Sequence, residues 1–293
     1  MIFTIENKHL KVRANTMGAQ LFSLYSKDTD TEYLWQGNPV YWADRAHVLF
    51  PFIGRMYKGD YTYQGQPYRA RAHGLARYNL FHMEERSATR LVFLLTESEE
   101  TLQEYPFRFE FRVIFELKGK TLITRYKATN TDEKTMICAF GGHPGINVPF
   151  GEGAFEDYYL EFSEPTKAKR HLLDDNEPYM ANQCVPYSLD EGKKLPLKHN
   201  LFDNDAVILS NTSRIVSVKS QSTHKFVTMH FEDFKYIGFW HAVKTDAPYV
   251  CLEPWSALPA SVSGQDELQT KADMFHIPPA KSKEVSFTLE IHE

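Results

Sequence analysis

Cysteine is scarce in this 293-residue sequence: Cys138, Cys184 and Cys251 are an odd, widely spaced set without a C-x-x-C pair. That pattern argues against a disulfide framework and a zinc ribbon, and makes a reducing compartment the simplest home. No run approaches the ~20 apolar residues that a membrane helix needs. Nor does the start, Met1 to Asn7, carry a basic stretch followed by an apolar one. The expectation is a soluble, cytoplasmic protein with no membrane partner. Charge of one sign is not in excess either, since 33 Lys and Arg stand against 38 Asp and Glu for a net charge of -5. Without a basic block, nucleic acid is disfavoured as a partner. Among twelve histidines none forms H-E-x-x-H or sits at zinc spacing with cysteine, and G-x-S-x-G, G-x-G-x-x-G and the P-loop are missing. The expected site therefore uses no metal and no cofactor.

Helical periodicity is also rare. Only 97–105 and 264–273 offer a few helical turns, neither with a clear apolar stripe. What is present instead is alternation. From Phe107 to Leu117 the residues Phe107, Phe109, Phe111, Val113, Phe115 and Leu117 share one face, while Arg108, Glu110, Arg112 and Glu116 share the other. A period of two marks a half-buried strand. Gly119 interrupts it and 121–128 resumes it, which reads as a hairpin. Further short strands are expected at 60–68 around Gln64-Gly65-Gln66, and at 226–231, 236–240 and 285–291. Few helices leave few crossovers, so the fold class is all-β, a large antiparallel sandwich of stacked sheets formed as a single domain over 1–293. Four prolines among charged residues make 164–200 a region of long loops.

Polar residues beside glycine or proline form islands suited to a cleft. Arg55 closes Phe52-Ile53-Gly54-Arg55, where a guanidinium can hold hydroxyl or carboxylate oxygens or make a structural ion pair. His73 and Arg77 flank Gly74, and each either faces a ligand or anchors a loop. Gly141-Gly142-His143-Pro144-Gly145-Ile146-Asn147 carries the sharpest signal, because so much backbone punctuation around one histidine exceeds what a plain hairpin needs. Two successive turns remain the other reading. In Cys251-Leu252-Glu253-Pro254-Trp255 an apolar run ends in a carboxylate whose burial is costly without a partner. Asp203 and Asp205 offer carboxylates at a turn. Histidine with glutamate, lined by arginine and aromatics such as Trp240, suits metal-free proton transfer on a polyhydroxylated substrate, whose apolar face packs on rings.

Taken in order, Gly54-Arg55, His73-Gly74, Gly142-His143-Pro144 with Asn147, Asp205 and Cys251 to Trp255 resemble the aldose 1-epimerase (galactose mutarotase) family, specifically its LacX-like bacterial branch. The resemblance spans most of the chain. It implies a β-supersandwich and interconversion of the α and β anomers of a free aldohexose without a cofactor. It also implies roles: Glu253 as general base and His143 as general acid, with Arg55, His73, Asp205, Asn147 and Trp240 holding the sugar. A carboxylate neighbour is expected to keep His143 protonated at neutral pH. His73-Gly74-Leu75-Ala76-Arg77 also resembles the hexose-6-phosphate mutarotase branch, in which the arginine helps hold phosphate. The small-molecule partner is thus a hexose or a hexose phosphate. A sugar-binding protein without turnover, and a glycosidase pairing Glu253 with Asp205, are the competing readings. The oligomeric state stays open, a homodimer included.

Overall fold

The computed structural model describes residues 1–264 and 267–293. The expected hairpin forms as Phe109–Lys118 and Thr121–Asn130, with Lys118 opposite Thr121 across a two-residue turn. Phe109, Phe111 and Val113 are fully buried, whereas the opposite face carries ion pairs such as Arg112 to Glu84 and Arg125 to Glu116. This hairpin sits within a nine-stranded antiparallel sheet. Alternation is what lets one face enter the core while the other stays wet.

Against it packs a seven-stranded antiparallel sheet, ordered Met180–Pro186, Lys169–Leu173, Val207–Ser210, Tyr236–Trp240, Tyr249–Trp255, Gly141–Asn147 and Ala46–Leu49. Phe50, Phe111 and Phe140 interlock the layers, with the Phe50 and Phe111 rings stacked at 4.1 Å. A four-stranded sheet over residues 2–32 completes the large elements. The chain is therefore all-β and antiparallel.

Two local expectations change. The region 164–200 keeps its long loops but is not loop throughout, because Lys169–Leu173 and Met180–Pro186 form a hairpin at the sheet edge. Most of the second strand is exposed, so it never shows an apolar face in sequence. Of the helical candidates, 97–105 holds the helix Glu99–Glu104, capped by Ser98. The other, 264–273, lies partly outside the described residues, and those described there form turns and no helix. No helix among the described residues is long and apolar enough to cross a membrane.

Candidate active site

The site is floored by one rung of the seven-stranded sheet. A register that pairs Gly141 with Trp255 and Gly145 with Cys251 sets His143 opposite Glu253. On its other side His143 pairs with His47, and Glu253 pairs with Gly238. Directly opposed residues project from the same face, so His47, His143 and Glu253 stand side by side. Gly238 completes the rung without a side chain, where a Cβ would lie 3.2 Å from the Trp255 ring and 3.4 Å from Glu253 Cβ. His143 Nε2 is 3.1 Å from Glu253 Oε2. Two islands far apart in sequence thus meet because their strands are neighbours.

The glycine-rich island is a buried strand, not a pair of turns, and none of its glycines has positive φ. Its glycines make room for rings. A Cβ on Gly142 would lie 2.9 Å from the Phe287 ring of the facing sheet, and one on Gly145 would lie 3.2 Å from Trp42. Interior strand glycine often marks such close approach.

A cavity of about 470 Å³ opens above this rung. His143, Glu253 and Trp240 line it from the sheet, and Arg55, His73, Arg77 and Asp205 line it from loops. Trp42 leans over His143 with ring centres 4.9 Å apart, and Trp240 meets the same imidazole edge-on at 5.5 Å. His73 and Asp205 hold φ of 64° and 69°, a conformation unusual for residues with a Cβ and maintained only where the surroundings fix it. For His73 that support is visible. Its N–H donates to the Gly54 carbonyl at 2.6 Å, and Gly54 N–H donates to Nδ1 at 3.3 Å, leaving Nε2 as the ring's N–H donor.

Electrostatics inside the cavity favour uncharged forms. Burial, followed by the charge of Asp205, raises Glu253 well above the ordinary carboxylate range, while the Trp255 indole opposes that shift. Burial and then His73 push His143 well below the usual imidazole value. Both directions favour the form in which the two groups together carry no net charge. Burial lowers His47 and His73 as well, His73 to about 3. Asp205, exposed as a residue, has its carboxyl crowded enough that burial raises its pKa against the pull of Arg55 and the Trp240 indole. A His143–Glu253 pair that holds one proton in total is neutral as a whole, which is the arrangement burial penalises least.

Several lining residues escape the sequence reading. Asp44 Oδ2 accepts from Arg77 Nη2 at 3.1 Å and lies 3.3 Å from His47 Nε2, so it ties both to one wall of the cavity. Tyr41-Trp42-Ala43-Asp44 followed by His47 was the available signal, but it contains no glycine to draw the eye.

Asn147 lies elsewhere. It shares a strand face with His143 but stands four residues on, roughly 13 Å along the strand. Its Nδ2 donates to the Glu32 carbonyl at 2.8 Å and the Leu34 carbonyl at 3.1 Å, fixing the N-terminal sheet to this strand. Asn147 is thus not among the residues that line the cavity. Asn147→Ala is expected to cost about 1–3 kcal/mol by removing both bonds, although the Leu34 carbonyl keeps Gln36 Nε2 as a donor at 3.0 Å, and the loss is seen as a lower denaturation midpoint. Sugar KM should stay unchanged, and a raised KM at unchanged stability would restore Asn147 to the site.

Comparison with known proteins places the chain in a family. A family model described as Aldose 1-epimerase matches residues 1–273. The chromosomal LacX protein of Lactococcus lactis subsp. lactis is 34% identical over 309 aligned positions, covering 99% of each chain. A galactose mutarotase related enzyme from Lactobacillus acidophilus superposes with TM-score 0.93 at 33% identity, covering 100% of this chain and 98% of that one. A galactose mutarotase-like protein from Lactobacillus casei gives 0.92 at 30% identity, with 100% of both covered. Matched nearly end to end in both sequence and backbone, the chain belongs to the aldose 1-epimerase family, in its LacX-like branch.

Proposed function

We propose that this protein is a mutarotase acting on a free aldohexose, with Glu253 and His143 as its acid–base pair. The observation that carries the reading is the buried contact of 3.1 Å between His143 Nε2 and Glu253 Oε2 at the floor of a sugar-sized cavity. Mutarotation needs one group to take the proton of the C1 hydroxyl and another to protonate the ring oxygen. With the shared proton on His143, the Glu253 carboxylate removes the hydroxyl proton and the imidazolium donates to O5, opening the ring to the aldehyde. Rotation about C1–C2 exposes the other face. Glu253 then returns its proton to O1 while His143 recovers the proton from O5. The pair carries one proton before and after, and moving it between neighbours leaves the buried net charge unchanged. Each positioned group is worth roughly 10²- to 10⁴-fold in rate. Trp42 and Trp240 supply rings for the apolar face of the pyranose, while Arg55, His73 and Asp205 supply hydrogen-bonding groups around its hydroxyls.

A free sugar is favoured over its 6-phosphate because the Arg77 guanidinium is already engaged by Asp44. A phosphate would have to displace that carboxylate. Polarimetry on freshly dissolved α-glucose and α-galactose, beside their 6-phosphates, tests both points. The expected result is accelerated relaxation of the free sugars and a lower kcat/KM for the phosphates. Faster relaxation of the phosphates would make Arg77 a phosphate ligand, and no acceleration of any of them would leave a binding protein.

A further inference from the structure

The scheme above makes no use of Cys251, which is fully buried two residues before Glu253 on the same strand face. The register places it between Trp240 and Gly145, one rung from the proton-transfer pair. His143, Cys251 and Glu253 each offer a ligand atom, and these atoms all lie within 4.8 Å of one another. Among the described residues this is the one such group.

The donors are imidazole nitrogen, thiol sulfur and carboxylate oxygen. Tetrahedral zinc, with bonds of roughly 2.0–2.3 Å to such atoms, needs its ligands about 3.3–3.8 Å apart. The nitrogen and oxygen already stand 3.1 Å apart. The sulfur then needs to approach by no more than about an ångström, within reach of a small change in its rotamer. His143 and Glu253 line the cavity, and three protein ligands with a fourth position left for another group match the pattern of accessible zinc sites. Magnesium and calcium prefer oxygen ligands and do not match a nitrogen and sulfur set. Charge also balances. A protonated thiol and a pair holding one proton are neutral together. Loading a divalent cation while releasing two protons leaves thiolate, carboxylate, imidazole and metal neutral as well.

We infer that His143, Cys251 and Glu253 form a site for a thiophilic divalent cation of the zinc class, and that filling it blocks sugar turnover. The cation takes the place of the proton on which anomer exchange depends, so the site is inhibitory. The cation site itself stands apart from the mutarotase reading, and only its inhibitory effect rests on that reading.

The test is titration of chelator-treated full-length protein with Co²⁺ as an optical probe, followed by Zn²⁺ displacement. The expected result is about one equivalent bound, with a thiolate-to-cobalt charge-transfer band in the near ultraviolet and the intense visible bands of tetrahedral cobalt. Cys251→Ser and Cys251→Ala should both lose the charge-transfer band. Their zinc affinity should fall by more than the ~10- to 100-fold that loss of an outer-shell partner costs. Cys184→Ser, which alters the exposed cysteine, should retain band and affinity. In polarimetry Zn²⁺ should inhibit the wild type, Mg²⁺ should not, and Cys251→Ala should turn over without zinc sensitivity. Near-ultraviolet circular dichroism separates loss of ligation from loss of fold. A wild type with no charge-transfer band, or a band that survives both Cys251 substitutions, overturns the site. Because the cobalt spectrum needs no activity, a chain that shows the band and no turnover would sink the mutarotase reading alone.

Discussion

Glu253→Gln is expected to lower kcat for anomer exchange by ~10²- to 10⁴-fold while leaving the fold as stable as the wild type, or more so, above pH 6.5. Both halves have the same origin. Glutamine keeps the shape of the side chain and its packing against Trp255 but can neither accept nor return the C1 hydroxyl proton. Stability follows from proton counting. Burial raises Glu253 above its unfolded value of 4.5, and burial lowers His143 below 6.5. Between those pH values the native pair and the unfolded chain each hold one proton here, so the pair adds no slope. Above 6.5 the unfolded chain loses its histidine proton while the native pair keeps one, and stability declines as pH rises through the raised Glu253 value. Below 4.5 the unfolded chain binds the extra proton, and stability declines on acidification. Glutamine removes the alkaline limb, since the native His143 and the unfolded one are then both neutral above 6.5. Urea midpoints at pH 6, 7.5 and 9 for the two proteins read this directly, and a variant that loses stability more steeply with pH than wild type would contradict it. In the rate assay His143→Gln should match the loss, and the double variant should add little, as expected of groups acting as one unit.

How much of this was legible in sequence depended on which faces are buried. The hairpin Phe109–Lys118 and Thr121–Asn130 announces itself because one face meets the core and the other meets water. Tyr249–Trp255 is buried on both faces and therefore shows no alternation, only an apolar run with Glu253 as its exception. Gly141–Asn147 is harder still, since glycines that admit the rings of Phe287 and Trp42 look the same in sequence as glycines that make turns. The site residues were found by their chemistry and the punctuation around them. That cue included Asn147, whose amide serves the backbone of residues 32 and 34, and omitted Trp42, Asp44 and His47. Register is what sequence does not print. Once Gly145 opposes Cys251, the meeting of His143 with Glu253 follows without further information.

Gly74→Ala carries the largest expected loss of stability. The loop bearing His73 and Arg77 is clamped against residues 50–54: Phe50 N–H donates to the His73 carbonyl, and Leu75 and Ala76 N–H both donate to the Phe50 carbonyl, at 2.9 and 3.1 Å. Gly74 stands inside this clamp at φ of 77°, and a Cβ there would lie 2.3 Å from Phe50 O and 2.7 Å from Pro51 N. Backbone atoms in a hydrogen-bonded clamp cannot swing aside as a long side chain can. Left-handed backbone costs alanine about 1–2 kcal/mol, and overpacking typically adds about 1–3 kcal/mol. The sum, about 2–5 kcal/mol, is a large part of a typical folding free energy. Gly65→Ala supplies the control, because Gly65 has a similar φ of 73° with nothing within 4 Å of its would-be Cβ. That variant meets only the conformational cost. Calorimetry should therefore show a drop in Tm for Gly74→Ala roughly 1.5- to 4-fold that for Gly65→Ala, and equal drops would mean that the clamp yields freely. Relief of the clash requires opening the bonds that hold His73 between Gly54 and the cavity. The surviving folded Gly74→Ala protein should consequently show a raised sugar KM, whereas Gly65→Ala, in the distant hairpin of Asp60–Tyr63 and Gln66–Arg69, should not.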